Sequence, residues 1–258
     1  MGNVDDVSAR EPGPEIALCK KNSSGFLDRN VIKYLMVLLM VVDHVAFCFM
    51  EKIPSPSYEI MRFFGRCVAP VFAFFIAEGF MHTSDVKKFR RRIGILAIVS
   101  YLPSVFCFIG FEEIKSSPAE LVAQTVIVSF YLALVALSVW YSEKMKKRTK
   151  IILIVLLTLA SVVTDMPVAG VLAPFFHCVF RDNKKKRYIA VALSYVAFVA
   201  PMIAMQGWST AGVLLAPVLL IFCYNGEAGT KNAFNKWFFY VFYPLHILIL
   251  GILRWYVI

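Results

Sequence analysis

Val31-Ile32-Lys33-Tyr34-Leu35-Met36-Val37-Leu38-Leu39-Met40-Val41-Val42-Asp43-His44-Val45-Ala46-Phe47-Cys48-Phe49-Met50 is the stretch that decides the fold class. An apolar run of this length, wound at about 1.5 Å per residue, crosses a hydrocarbon layer of about 30 Å. It lacks the polar face that a helix on a soluble core keeps toward water. Near its far end two ionisable neighbours, Asp43 and His44, interrupt it.

The rest of the chain extends the pattern. Of 258 residues, 59% are hydrophobic and 17% charged, with mean hydropathy +0.70. Soluble domains carry roughly a quarter charged residues, so a water-soluble fold could not hide this much apolar surface. Nine candidate spans follow: about 31–50, 60–81, 93–110, 121–141, 150–164, 167–180, 188–205, 208–224 and 237–257. The fifth and sixth are short and meet at Asp165, Met166 and Pro167, which fits a tight hairpin or one broken segment. The expected fold is all-α, a polytopic transmembrane bundle of about nine helices over 29–258, preceded by a disordered cytoplasmic tail at 1–28. That tail is polar, with Pro12, Pro14, Ser23, Ser24 and Gly25. It does not read as a signal peptide, because the first apolar run holds Asp43 and His44 and lacks a small-residue cleavage site.

Charge sets the expected orientation. The 82–92 connection carries Lys87, Lys88, Arg90, Arg91 and Arg92; 142–150 carries Lys144, Lys146, Lys147, Arg148 and Lys150; 181–187 carries Arg181, Lys184, Lys185, Lys186 and Arg187. The connections between them carry only Lys52, Lys115 or none. Basic segments alternate with poor ones, which the positive-inside rule reads as a cytoplasmic N-terminus. The net charge of +10 is then a topology and headgroup signal, not a nucleic-acid surface. The six cysteines show no C-x-x-C pair and read as core thiols.

Ionisable groups inside spans are costly, so each is a functional candidate. They are Asp43 and His44 in the first span, Arg66 and Glu78 in the second, Asp165 at an outer helix end and His246 in the last. Arg254, near the last span's outer end, reads as snorkelling to the surface. Counted from the span ends, His44 and Arg66 each lie about 9 Å below the outer boundary, while His246 falls nearer mid-membrane. Glu78 and His82 lie toward the cytoplasmic end. A polar path across the bundle is one reading; interhelical hydrogen bonds that only pin the helices are the other.

No H-E-x-x-H, paired Cys/His ligand set, G-x-S-x-G or phosphate-binding glycine motif occurs, and no metal is expected. A histidine base beside a buried cation suits acyl transfer: the base takes the acceptor's proton and the cation offsets charge on the thioester carbonyl. The same groups suit a proton-coupled transporter relaying through Asp43, His44, Glu78 and His246, although no repeated halves are visible. A noncatalytic envelope-assembly scaffold is the third reading.

The run Asn30-Val31-Ile32-Lys33 through Asp43-His44 resembles the first helix of the TraX family, membrane proteins named for the acetylase of conjugative pilin. The likeness continues through Arg66-x-x-x-Pro70-x-Phe72, Glu78-Gly79-Phe80, His82-Thr83, Thr164-Asp165 with Gly170, and Tyr224-Asn225-Gly226 with Gly229. It ends on Phe238-Phe239-Tyr240-Val241-Phe242-Tyr243-Pro244-Leu245-His246. The pattern is similar to that of wider membrane acyltransferases, polysaccharide O-acetylases among them, where an early histidine and an Arg before Pro and Phe belong to the acyl-CoA site. The resemblance implies a multi-pass cell-membrane acetyltransferase using acetyl-CoA, with a peptide, pilin or glycan acceptor. It implies catalytic roles for His44, Asp43 and Arg66, and an acyl channel near Glu78, His82, Asp165, Tyr243 and His246. Donor contacts are expected from Arg90, Arg91, Arg92, Asn225, Lys231 and Lys236. Two departures stand out. Ser100-Tyr101-Leu102-Pro103 lacks the carboxylate of a Ser-Glu-x-Pro block, and Thr125, after Gln124, replaces an Asn.

Overall fold

The computed structural model describes residues 25–110, 125–230 and 232–257, so Lys231 and Gln124 lie outside the described residues, as does the side chain of Lys236. Ten α-helices are present among them: α1 (Arg29–Cys48), α2 (Ser55–Gly65), α3 (Val68–His82), α4 (Val86–Phe108), α5 (Val126–Tyr141), α6 (Lys147–Ala160), α7 (Ala169–Val179), α8 (Lys184–Gln206), α9 (Leu215–Phe222) and α10 (Ala233–Ile252). Five segments are long and apolar enough to cross a membrane: Arg29–Cys48, Ser55–His82, Val86–Phe108, Lys184–Gln206 and Trp237–Val257.

The expected spans are mainly helical where described, but ten α-helices stand among the described residues where about nine were expected. Prolines account for the two breaks. Pro70 has no N–H to offer the Arg66 carbonyl, and the helix expected over 60–81 breaks there into α2 and α3. Pro217 likewise leaves the Val213 carbonyl without its helical donor, and the segment 208–224 starts as a 3-10 turn, Trp208–Leu214, before α9. The doubtful fifth and sixth segments are separate helices, joined through a short 3-10 turn at Ser161–Val163. With 11 residues, α7 is about 16 Å long, too short to cross alone.

Other boundaries moved outward because polar caps start the helices earlier than hydropathy does. Asp85 accepts from the Lys88 N–H at 2.8 Å and starts α4 at Val86, so Lys87, Lys88 and Arg90–Arg92 belong to the helix instead of a loop. Asn183 does the same for α8, accepting from Lys186 N–H, and Asn232 for α10, accepting from Asn235 N–H. Residues 25–28, assigned to the tail by composition, are built in. Phe26 and Leu27 donate to the Cys223 carbonyl, Asn225 N–H donates to the Leu27 carbonyl, and Asp28 caps α1. Gly229 permits this with a positive φ of 72°, its α-carbon pressed against the Asp28 carboxylate where a Cβ would collide.

The core forms where small residues let backbones approach. Ala73 and Ala77 of α3, Ala133 and Ala136 of α5, and Ala169 of α7 are fully buried along their shared contacts. Around them α4 packs on α10 and on α5, and α1 packs on α2, α3 and α10. The outward faces of α6 and α8 stay apolar and uncovered: Leu159 is 60% and Leu193 63% exposed. Lipid can cover such faces; water cannot without cost.

Candidate functional site

A continuous cavity of about 1230 Å³ runs along α1 between the ends of the bundle. Its wall along α1 is Lys33, Val37, Met40 and His44, residues that share one face of the helix. One end is bordered by Arg29, Asn30, Lys33, His82 and Arg92; the other by Asp43, His44, Arg62, Arg66, Asp165 and Gln206.

At the second end two histidines meet. His44 Nδ1 lies 2.8 Å from His246 Nε2, and His246 Nδ1 lies 2.9 Å from the Phe242 carbonyl oxygen. A carbonyl only accepts, so His246 carries its proton on Nδ1. In the neutral pair its Nε2 then accepts from His44 Nδ1–H, which leaves the lone pair of His44 on Nε2. The rings are nearly parallel, and Phe108 meets the His44 ring edge-on. The contact corrects the expected depths. Asn232 starts α10 at Ala233, so His246 lies about 20 Å along its helix and His44 about 22 Å along α1. The two helices begin at the same end, and the rings come level.

Asp43 does not orient His44. It pairs with Arg62, Nη1 to Oδ2 at 2.8 Å, with Arg62 buried and Asp43 mostly so. Gly65 makes room for the pair, since a Cβ there would collide with the Asp43 carboxylate. Arg62 was missed because it stands at the edge of the expected span; its spacing of four from Arg66 was the signal, placing both on one helical face. Arg66 donates to the Gln206 side-chain oxygen. Its Nε and the Asp43 Oδ1 are buried with no hydrogen-bond partner among the described residues. Asp165 borders the cavity from an exposed position. Tyr243 also lines it, its hydroxyl 3.2 Å from Thr125 Oγ1, and Thr125 in turn caps α5.

The remaining candidates divide. His82 lines the cavity, with Nδ1 3.1 Å from the Glu78 carbonyl. Glu78 itself does not line it: its carboxylate points to α7, with Oε1 3.9 Å from His177 Nε2. Arg92 lines the cavity; Arg90 and Arg91 do not, because successive residues on α4 point about 100° apart. Asn225 accepts from the Glu227 N–H in the turn before α10 and stays out of the cavity. Arg254 does not snorkel; it donates to the Cys107 and Phe108 carbonyls at the end of α4. Among the described residues, no group of three or more His, Cys, Asp or Glu side chains is placed to hold a metal ion.

A helical bundle with, among the described residues, five segments able to span a membrane and a largely apolar cavity carrying polar groups at its two ends fits a multi-helix membrane protein. The chain belongs to the TraX family, whose sequence model, described as TraX protein, matches residues 28–254. It is similar to the probable fimbrial assembly protein FimC, serogroup H1, of Dichelobacter nodosus, with 29% identity over 230 residues, covering 85% of this chain and 92% of that protein. No solved structure matches the chain.

Proposed function

We propose that this TraX-family chain is a multi-pass cell-membrane acetyltransferase that moves an acetyl group from cytoplasmic acetyl-CoA to an amine or hydroxyl on a peptide, pilin or glycan at the opposite face. One observation carries the reading: a continuous cavity joins His44, which His246 backs from outside the lining, and two arginines at one end to a cationic mouth at the other. A transporter relay through Glu78 loses its support, because Glu78 faces α7 and not the cavity. The fimbrial-assembly name of the relative fits a pilin-type acceptor.

The residues suit the chemistry. Bound acetyl-CoA would supply an acetyl group already activated as a thioester. His44 takes the acceptor's proton at Nε2 as the new N–C or O–C bond forms, and returns it to sulfur as the C–S bond breaks. His246 holds His44 in the tautomer that makes Nε2 the base. The unpartnered Arg66 Nε fits the oxygen on which negative charge develops, in a site where such a donor acts at low dielectric. Asp43, paired with Arg62, keeps the end of the cavity from carrying two uncompensated cations.

The test is purified full-length protein in lipid nanodiscs with acetyl-CoA, following free thiol release and acetylated product by mass spectrometry with a pilin-type peptide. Wild type should release thiol and form product. His44→Ala should lose about 10² to 10⁴ in rate while still binding CoA. Equal turnover in the two proteins sinks the histidine-base reading, and CoA-independent proton flux in vesicles would favour the transporter instead.

A further inference from the structure

We infer that Lys33, with Arg29 and Arg92, forms a phosphate-binding site for a phosphopantetheine-type thioester donor, set one pantetheine length from His44. The inference rests on the acyl-transfer reading and identifies what its donor must carry: phosphates at one end of a long arm and the acyl thioester at the other.

Charge distribution comes first. The carboxylates that line the cavity are Asp43 and Asp165, both at the His44 end. The opposite end has Arg29, Lys33 and Arg92 on its wall and no carboxylate. Lys33 is the informative member. Its ammonium sits between two ring faces, 5.7 Å from the centroid of Phe75 and 5.2 Å from that of Phe239. Ring faces orient a cation but do not cancel its charge. A lysine that only marks topology belongs in the exposed turns, as Lys184, Lys185 and Lys186 do. Lys33 instead lies a full turn inside α1, partly buried and facing the cavity.

Register comes second. Lys33 and His44 are eleven residues apart on one helix, about 16 Å along the axis and within about 20° of the same direction. Both border the same cavity. Extended pantetheine separates a diphosphate from a thioester by a comparable reach, so one molecule can place phosphate at Lys33 and carbonyl beside His44.

The mouth is also built. Asn30 and Asn235 both donate to the Thr230 carbonyl, at 2.8 and 2.9 Å, and Tyr34 O–H donates to Asn235 at 2.6 Å. These bonds hold Thr230 and the start of α10 against α1 and leave the cations, not the amides, for a ligand. Arg90, Arg91 and Asn225 play no part.

Full-length protein in nanodiscs would be titrated with CoA and with pantetheine, which lacks phosphates, using intrinsic fluorescence and calorimetry. Wild type should bind CoA far more tightly than pantetheine, and more weakly as salt rises. Lys33→Gln should weaken CoA roughly 10- to 100-fold, the worth of one charge-assisted contact, and leave pantetheine unchanged. Lys33→Arg should recover most of the loss, and Arg92→Gln should repeat it more weakly. Thermal unfolding of each variant checks the fold. Wild type that binds CoA alongside a Lys33→Gln protein that binds it equally overturns this site and leaves acyl transfer standing. Wild type that binds no CoA overturns both.

Discussion

The proton between His246 Nδ1 and the Phe242 carbonyl governs what His44 can do, because each hydrogen bond in the chain has only one free choice of donor. Replacing His246 by Phe removes the acceptor that fixes the His44 tautomer. On the proposed acyl-transfer reading, the His246→Phe protein should lose turnover, by less than the roughly 10² to 10⁴ expected of a positioned general base. His246→Gln, whose amide can both accept from His44 and donate to Phe242, should recover part of it. Nitrogen NMR of labelled histidine is the specific check: His44 should show one tautomer in wild type and a mixture in His246→Phe. An unchanged tautomer would leave His246 as packing only. Arg62 and Asp43 make a second residue-scale test. Breaking a buried ion pair strands a charge at a cost of about 3 to 5 kcal/mol, whereas removing both charges is often neutral. Arg62→Met should therefore lower the unfolding temperature sharply, and Arg62→Met with Asp43→Asn should restore most of it. Equal destabilisation in single and double variants would mean the pair is not isolated from its surroundings. At this scale the sequence showed Asp43, His44, Arg66 and His246 as intramembrane ionisables. It could not show who pairs with whom, since that depends on contacts between residues up to about two hundred positions apart.

Helices were legible through long apolar runs, and their ends were not. Hydropathy begins a span where charge stops, but Asp85 and Asn183 begin α4 and α8 earlier, with cations in the first turn. Lysine and arginine at a helix N-terminus oppose the macrodipole; the Asp85 carboxylate offsets them at α4, whereas α8 starts on the neutral Asn183 with no acid in its first turn. Helix stability does not explain the placement in α8, which suits contact with anionic headgroups. Pro70 and Pro217 were visible in the sequence, yet an apolar run across a proline reads as continuous until its carbonyl partners are known. One packing contact offers a direct test of how α1 meets α4. The Cys48 and Cys107 thiols touch, Sγ to Sγ at 3.1 Å, where the sequence offered only unpaired core cysteines. In a background with Cys19, Cys67, Cys178 and Cys223 replaced by Ala, copper phenanthroline should join the two within one chain, seen as a linked peptide by mass spectrometry. A pair that stays reduced while an engineered control pair oxidises would place the ends of α1 and α4 apart.

Across the whole molecule, function turns on which end of the cavity faces the cytoplasm. The cationic mouth at Arg29, Lys33 and Arg92 lies at the start of α1 and α4, and the basic first turn of α8 begins with Lys184. If those turns obey the positive-inside rule, the mouth proposed to bind phosphate opens where CoA is made, and the histidine pair sits toward the opposite face, where the proposed acceptor would arrive. Donor and acceptor then meet within one cavity, without the protein having to carry either across. Single cysteines at Lys144, Lys185 and Ser55, all exposed, report this directly when placed in a protein freed of native cysteines. In intact cells an impermeant maleimide should label only the position at 55. In inverted membrane vesicles it should label those at 144 and 185 and spare 55. The reversed pattern would open the cationic mouth to the outside, where no CoA pool exists, and would remove the donor side of the proposed reaction while leaving the fold untouched.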